Sequence, residues 1–261
     1  MTQLAAKAGE EPVIAFDNVT LSFGSQTLYA GLNLEVRAGE FLCIVGPSGC
    51  GKSTTLRLMS GLLAPSAGSI RVQGRPPQEK REDFAFVFQN PRLVPWRNAA
   101  ENVCLAATLR YGTSKRKLME RAVRELGKVG LAKDTQKMPA MMSGGERQRV
   151  SIARALMVDP QIILMDEPFS ALDLRTRTLM REEILALWKE TRKTVIFVTH
   201  DVDEALMLAD RVAVLSQKPT RLIETITIDA PRPRQIEGHA DLQRLRSRLQ
   251  DLLHFDMEPA A

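Results

Sequence analysis

Residues 46–54 read Gly-Pro-Ser-Gly-Cys-Gly-Lys-Ser-Thr, and the spacing Gly46-x4-Gly51-Lys52-Ser53 restricts the fold more than any other stretch of the chain. A loop of this kind cradles phosphate only when a strand delivers it and a helix starts from it. The preceding "LNLEVRAGEFLCIVG" (32–46) reads as strand, and "KSTTLRLMSGL" (52–62) has helical spacing that stops at Gly61. Successive backbone amides wrap an anion there, and the helix N-terminus adds positive potential. Gly46, Pro47, Ser48, Gly49, Cys50, Gly51, Lys52, Ser53 and Thr54 are therefore expected to hold the phosphates of a nucleotide. Lys52 would reach the β and γ phosphates, and Ser53 would bind Mg²⁺.

The rest of the chain suits such a loop. "VIAFDNVTLSFG" (13–24), "GSIRVQG" (68–74) and "DFAFVFQ" (83–89) read as strands. "QIILMD" (161–166) and "TVIFVTH" (194–200) are near-continuous apolar runs, the pattern of strands buried on both faces of a parallel sheet. Residues 174–192 between them are helical, and 211–216 and 221–228 look like closing strands. From Asn98 to about Met138 the pattern turns helical. The expectation is an α/β fold over 13–235 with a helical insertion at roughly 90–158, and a disordered tail at 1–12. Leu242, Leu245, Leu249 and Leu252 make an amphipathic stripe in the C-terminal segment 236–261, read as a helix packed on its own domain. A chain of 261 residues with 44% hydrophobic content can bury a core. Its net charge of +5 is spread along the sequence, as on an ordinary solvated surface. The tail has no apolar region of a signal peptide, and no charge-free apolar stretch approaches the ~18 residues of a membrane span. Cys43, Cys50 and Cys104 lack metal-ligand spacing, which fits a reduced cytosolic protein.

Four further features carry chemistry. In "IILMDEP" four apolar residues deliver Asp166 and Glu167 to a strand's carboxyl end, where open α/β sheets bind ligands. Asp166 suits Mg²⁺, directly or in its outer sphere, and Glu167 suits a general base that polarises water. Gln89 and His200 each follow an apolar strand and are expected beside the γ-phosphate; each alone is equally an ordinary polar strand end. Phe23 suits stacking on adenine, or sits in the core with Val19 and Leu21 on the same strand face. "MSGGERQR" (142–149) looks like a second phosphate cradle, with Ser143, Gly144 and Gly145 opening a helix. Ser143-x-x-Glu146 also reads as a capping box, and both readings hold together.

The ordered set "GPSGCGKST", Gln89, "MSGGERQRV" (142–150), "IILMDEP", "SALD" (170–173) and His200 resembles the ATP-binding subunit of ABC transporters over residues 13 to 230. The resemblance implies a P-loop NTPase core of ABC ATPase type, with a mixed sheet flanked by helices, an antiparallel β subdomain and an inserted helical subdomain. It implies an ATPase using ATP and Mg²⁺, with Gln89 and His200 sensing the γ-phosphate and Gln89 joining Ser53 and Asp166 around the metal. Phe23 would stack on the base. It further implies a head-to-tail dimer of two copies, in which Ser143, Gly144 and Gly145 of one cap the ATP held by the other and Asp173 meets the partner subunit. Two membrane-spanning permease subunits and, through them, a solute-binding protein complete the implied assembly, at the cytoplasmic face of the inner membrane. Met142 and Glu146 depart from the usual Leu and Gln; a capping box would turn Glu146 back to the Ser143 amide, away from phosphate. Leu93, Val94, Pro95 and Trp96 follow the sensor Gln89 as an apolar patch suited to a membrane subunit, or else form a small core of the insertion. "VTHDVDEALMLADRV" and "APRPR" (230–234) resemble importer ATPases for nitrate, sulfonates and taurine. DNA-repair ATPases of the superfamily need coiled-coil arms or zinc-bearing insertions, and this chain has neither sustained heptads nor Cys-x-x-Cys, so no nucleic acid is expected as partner. An exporter or lipoprotein-release ATPase is the competing class, to be separated by co-purification with a solute-binding protein.

Overall fold

The computed structural model describes residues 11–112, 115–170 and 172–255. Along the chain these form β1 (Ile14–Phe23), β2 (Gln26–Val36), β3 (Phe41–Val45), α1 (Lys52–Met59), β4 (Ala67–Val72), β5 (Phe84–Val87), α2 (Ala99–Tyr111), α3 (Lys115–Lys128) and α4 (Gly144–Leu156). There follow β6 (Ile162–Asp166), α5 (Leu174–Thr191), β7 (Thr194–Val198), α6 (Val202–Leu208), β8 (Arg211–Leu215), β9 (Leu222–Thr227) and α7 (Ala240–Phe255).

Two sheets result. β2-β1-β4 is antiparallel, and β5-β6-β7-β3-β8-β9 is parallel except for its β8/β9 edge. The apolar runs of β3, β6 and β7 are continuous because both their faces are covered. Phe41, Cys43, Val45, Ile163, Met165, Val195 and Phe197 point into a core shared with the helices. Leu42, Ile44, Ile162, Leu164, Ile196 and Val198 point the other way, into a core shared with α1 and the antiparallel sheet. Alternation of side chains along a strand makes this division automatic. The expected mixed sheet with an antiparallel layer and a helical insertion is borne out.

One expectation needs correcting. Residues 32–46 are not one strand but the end of β2 and all of β3, separated by a turn at 37–40. Gly39 takes φ +70 there, and the Glu40 carboxylate accepts from the Arg37 amide, so the chain leaves one sheet and enters the other. The insertion is built from α2, α3 and α4. Both α2 and α4 start with a full capping box, Asn98 with Glu101 and Ser143 with Glu146. α7 lays Leu242 and Leu249 into the larger core, with Leu245, Leu252 and Leu253 packed at its margin. Each buried leucine contributes about 1.5–3 kcal/mol, so the stripe seats this helix on its own chain. The expected tail at 1–12 falls outside the described residues except for Glu11 and Pro12.

Candidate nucleotide site

The register of the central sheet assembles the site. Ile44 of β3 pairs with Val198 of β7, and Val198 pairs with Asp166 of β6. Met165 of β6 pairs in turn with Val87 of β5. Four chain segments therefore leave the sheet side by side at its carboxyl edge: Gln89, Asp166-Glu167, Thr199-His200 and Gly46. Glu167 N–H donates to Val198 O at 2.9 Å and Thr199 N–H to Ile44 O at 3.2 Å, which carries the ladder into the loops.

The phosphate loop is braced from behind. Tyr29 Oη donates to Gly51 O at 2.6 Å and Thr220 Oγ1 to Cys50 O at 2.6 Å. Burial pushes the Tyr29 phenol above its ordinary range, so it remains a donor. Gly51 sits at φ +106, and a Cβ there would meet Tyr29 Oη at 2.6 Å, so neither backbone nor space admits a side chain. Ser48 and Gly49 stand exposed at the loop tip, and Thr54 is half-buried on α1. Lys52 is buried, its ammonium donating to Gly46 O at 2.8 Å and Pro47 O at 3.0 Å within the loop.

Ser53 Oγ donates to Asp166 Oδ1 at 2.8 Å. Burial pushes the Asp166 carboxyl up, and the Ser53 hydrogen bond offsets part of that. A hydroxyl and a carboxylate placed together are hard oxygen donors, the kind that bind Mg²⁺, so the pair fits that ion. Glu167, next in sequence, takes φ +42, sparsely populated for a residue with a long side chain. This turns its carboxylate out of the strand direction to His200, whose Nδ1 lies 3.1 Å from Glu167 Oε2. Gln89 Nε2 donates to Ser170 Oγ at 3.1 Å, and Ser170 Oγ donates to Glu167 O at 3.0 Å, so the Gln89 amide is linked to the backbone of the acid. Its hydrogen bond runs to Ser170, not to Ser53 or Asp166.

Ser143, Gly144 and Gly145 form a separate group. Ser143 Oγ accepts from Glu146 N–H at 3.2 Å, and Glu146 Oε2 accepts from Ser143 N–H at 2.6 Å. Lys137 Nζ lies 2.6 Å from Glu146 Oε1 and holds this carboxyl below the usual range. The capping-box geometry expected for Glu146 is therefore present, with an added cation that neutralises the acid standing where Gln is usual. A Cβ on Gly145 would meet Thr176 Cγ2 at 2.6 Å, because α4 begins against the start of α5. Asp173 caps α5, accepting from Thr176 N–H at 3.0 Å and Thr176 Oγ1 at 2.6 Å, and both Ser143 and Asp173 are exposed.

Phe23 is 56% exposed at the β1–β2 hairpin while Val19 and Leu21 are buried, so its ring does not belong to the core. Trp96 is 76% exposed, and Leu93 packs at the margin of the core. Sequence reasoning missed Tyr29, Ser170, Lys137 and Thr220 as site residues. Ser170 alone had a signal, its place in "SALD"; Lys137 lies close to Glu146 along the chain, and Tyr29 and Thr220 come from distant segments, none with a pattern to mark it.

Residues 29–170 match the family described as ABC transporter. Phe23, Asp173 and His200 lie outside that span. The bicarbonate transport ATP-binding protein of Synechococcus elongatus is 43% identical over 88% of this chain and 84% of its own length. The nitrate import ATP-binding protein of the same organism is 42% identical, covering 92% and 90%. The aliphatic sulfonates import ATP-binding protein 2 of Pseudomonas syringae pv. syringae is 44% identical, covering 98% and 87%. A solved dimeric ATP-binding cassette in a post-hydrolysis state, bound to ADP and Pi, is similar with a TM-score of 0.74 and 33% identity, over 82% of this chain and 98% of that one.

Proposed function

The chain belongs to the ABC transporter family as an ATP-hydrolysing cassette, and from that premise we propose that it energises uptake of a small oxyanion through membrane subunits. The observation that carries the site reading is the register across β6, β7 and β3, which sets Glu167, His200 and the phosphate loop at one edge. Glu167 acts as the general base, drawing a proton from the attacking water with His200 as its neighbour at the γ-phosphate. Lys52 exchanges its loop carbonyls for the β and γ phosphate oxygens. Gln89, linked to Glu167 through Ser170, senses the γ-phosphate. Ser53 and Asp166, with Gln89 from the adjoining loop, would hold Mg²⁺, which when bound would supply charge neutralisation. The exposed Phe23 ring stacks on adenine.

Ser143, Gly144 and Gly145 serve the nucleotide of a second copy, with Asp173 at the same face. The exposure of Ser143 and Asp173, with α4 starting against the start of α5, supports this, as does the dimeric state of the similar cassette. Leu93–Trp96 receive a membrane subunit. An open groove of about 360 Å³ nearby, lined by Phe84, Phe86, Ala106, Arg110 and Arg154, supports such a partner. Arg154 lines it while donating to Pro91 O at 2.6 Å and Arg92 O at 3.1 Å, so what fills the groove bears on the loop that follows Gln89. No helix among the described residues is long and apolar enough to cross a membrane, and the subunit sits peripherally on the cytoplasmic face of the inner membrane. The relatives' names give bicarbonate, nitrate and sulfonates, all small oxyanions, and taurine carries the same sulfonate group. A solute-binding protein delivers the ion.

The test is the ATPase of the subunit reconstituted with its membrane partners in vesicles. A binding protein loaded with nitrate, bicarbonate, an alkanesulfonate or taurine is expected to stimulate turnover and vesicle accumulation of its ion. Hydrolysis indifferent to every loaded binding protein, or efflux in place of uptake, would remove the importer assignment.

A further inference from the structure

His200 is exposed at the end of a short loop, and its orientation depends on what grips that loop. Thr199 Oγ1 donates to Glu204 Oε2 at 2.6 Å and accepts from Asp201 N–H at 3.0 Å. Asp201 Oδ1 caps α6, accepting from the amides of Asp203 and Glu204. Glu204 is only 3% exposed, so its carboxylate needs a cation or a proton, and burial alone pushes its carboxyl up.

Arg177, in the first turn of α5, reaches both acids. Its NH1 lies 3.3 Å from Asp201 Oδ2 and its Nε 3.6 Å from Glu204 Oε1. The third prong, NH2, donates to Leu172 O at 3.5 Å, the carbonyl just before Asp173, and the Arg177 amide donates to Asp173 O at 2.9 Å. One planar guanidinium thus touches the loop that presents Asp173 and the two acids that fix the loop of His200. Lysine has one nitrogen and no fork, so it cannot make the three contacts together.

We propose that Arg177 is a positioning residue that ties the loop of Asp173 to the loop of His200, so that docking of a second copy on Asp173 and presentation of His200 to the ATP phosphates occur together. This rests on the roles given above to Asp173 and His200. Moving a reacting group by about 1 Å costs up to about 100-fold in rate, and removing Arg177 releases the His200 loop on one side only.

The experiment compares Arg177→Met, Arg177→Lys and Glu204→Gln in the full chain. Arg177→Met is expected to lower kcat by about 10- to 100-fold while KM for ATP stays within about twofold, because positioning is lost and substrate binding is not. Arg177→Lys is expected to recover part of kcat. The chain has three histidines, His200, His239 and His254, so ¹⁵N-histidine labelling isolates the reporter. The His200 ring resonance is expected to move in Arg177→Met and the other two to stay. In a His200→Ala background, Arg177→Met should change residual hydrolysis no further. Unchanged kcat, an unmoved His200 resonance, or an equal loss with and without His200 would each overturn the link. Should Arg177→Met fail to fold, Glu204→Gln breaks the ion pair while keeping an acceptor for Thr199, and the same readouts decide. Parental turnover in His200→Ala would instead remove the role of His200 itself, and this proposal with it.

Discussion

Glu167 illustrates how much the chemistry depends on one residue's backbone. Asp166, one position earlier at the end of β6, accepts from Ser53 and so faces the phosphate loop. Glu167 at φ +42 turns the opposite way, to His200. Left-handed backbone costs such a residue of order 1–3 kcal/mol, met here by the Val198 carbonyl that anchors its amide. Two adjacent acids thereby acquire different neighbours, as the different roles proposed for them require. Glu167→Gln keeps the shape and the hydrogen-bonding oxygen but removes the base. Hydrolysis is expected to fall by about 10²–10⁴-fold with ATP binding retained and an ATP-bound dimer accumulating on size exclusion. Near-normal turnover of the purified variant would take Glu167 out of the role.

At the level of elements, the connection from β5 to α2 joins Gln89, the proposed γ-phosphate sensor, to the proposed partner surface at Leu93–Trp96. Phe86 and Phe88 stack at 4.7 Å, and the Arg92 guanidinium lies over Phe88 at 4.5 Å, which stiffens the start of this segment. Asn102, buried in α2, accepts from Val94 N–H at 2.7 Å and donates to the carbonyls of Val94, Arg97 and Asn98. The loop backbone is thus held from below while Trp96 projects above it. A side chain so exposed contributes little to folding stability. Trp96→Ala is expected to leave the melting temperature and isolated ATPase of the subunit near parental values and to weaken co-purification with membrane subunits. A sharp drop in melting temperature with assembly intact would return Trp96 to a structural role.

For the whole molecule, the proposed second cradle at Ser143, beside a complete phosphate loop, is the feature that a single chain does not explain. The phosphate loop and Ser143 belong to different parts of the fold, one on the central sheet and the other at the head of the insertion's last helix. If each nucleotide draws on two chains, losing the donors at Ser143 should cost about 10²–10³-fold, the scale of removing preorganised donors from a developing charge. Heterodimers of differently tagged chains separate the cases. Lys52→Ala in one chain and Ser143→Arg in the other put both lesions in one shared site and leave the second intact. Both lesions in one chain with an unaltered partner damage both sites. Activity in the first mixture and not in the second is expected; activity only in the second would sink the shared site. Should both be inactive, an ATP-dependent crosslink between cysteines placed at Ser143 and Ser48 on different chains decides it.

The sequence alone determined the nucleotide chemistry and the fold class, because both rest on local pattern. A loop of fixed spacing between strand and helix, and apolar runs ending in Asp166 or His200, need only neighbours along the chain to be legible. The capping box at Ser143 was legible for the same reason, its partners lying three residues apart. Register was not. That Ile44, Val198 and Asp166 stand in one row, so that Glu167 meets His200, was decided by strand pairing between segments far apart along the chain. The braces Tyr29 and Thr220, the link from Gln89 through Ser170, and the fork of Arg177 depend on the same packing. The division of residues 32–46 between two sheets also escaped the pattern, since an apolar alternation does not say which sheet receives it. Phe23 and Trp96 show the limit most plainly: hydrophobicity predicted burial and surface equally well, and only the packed core, already filled without them, left both rings in solvent.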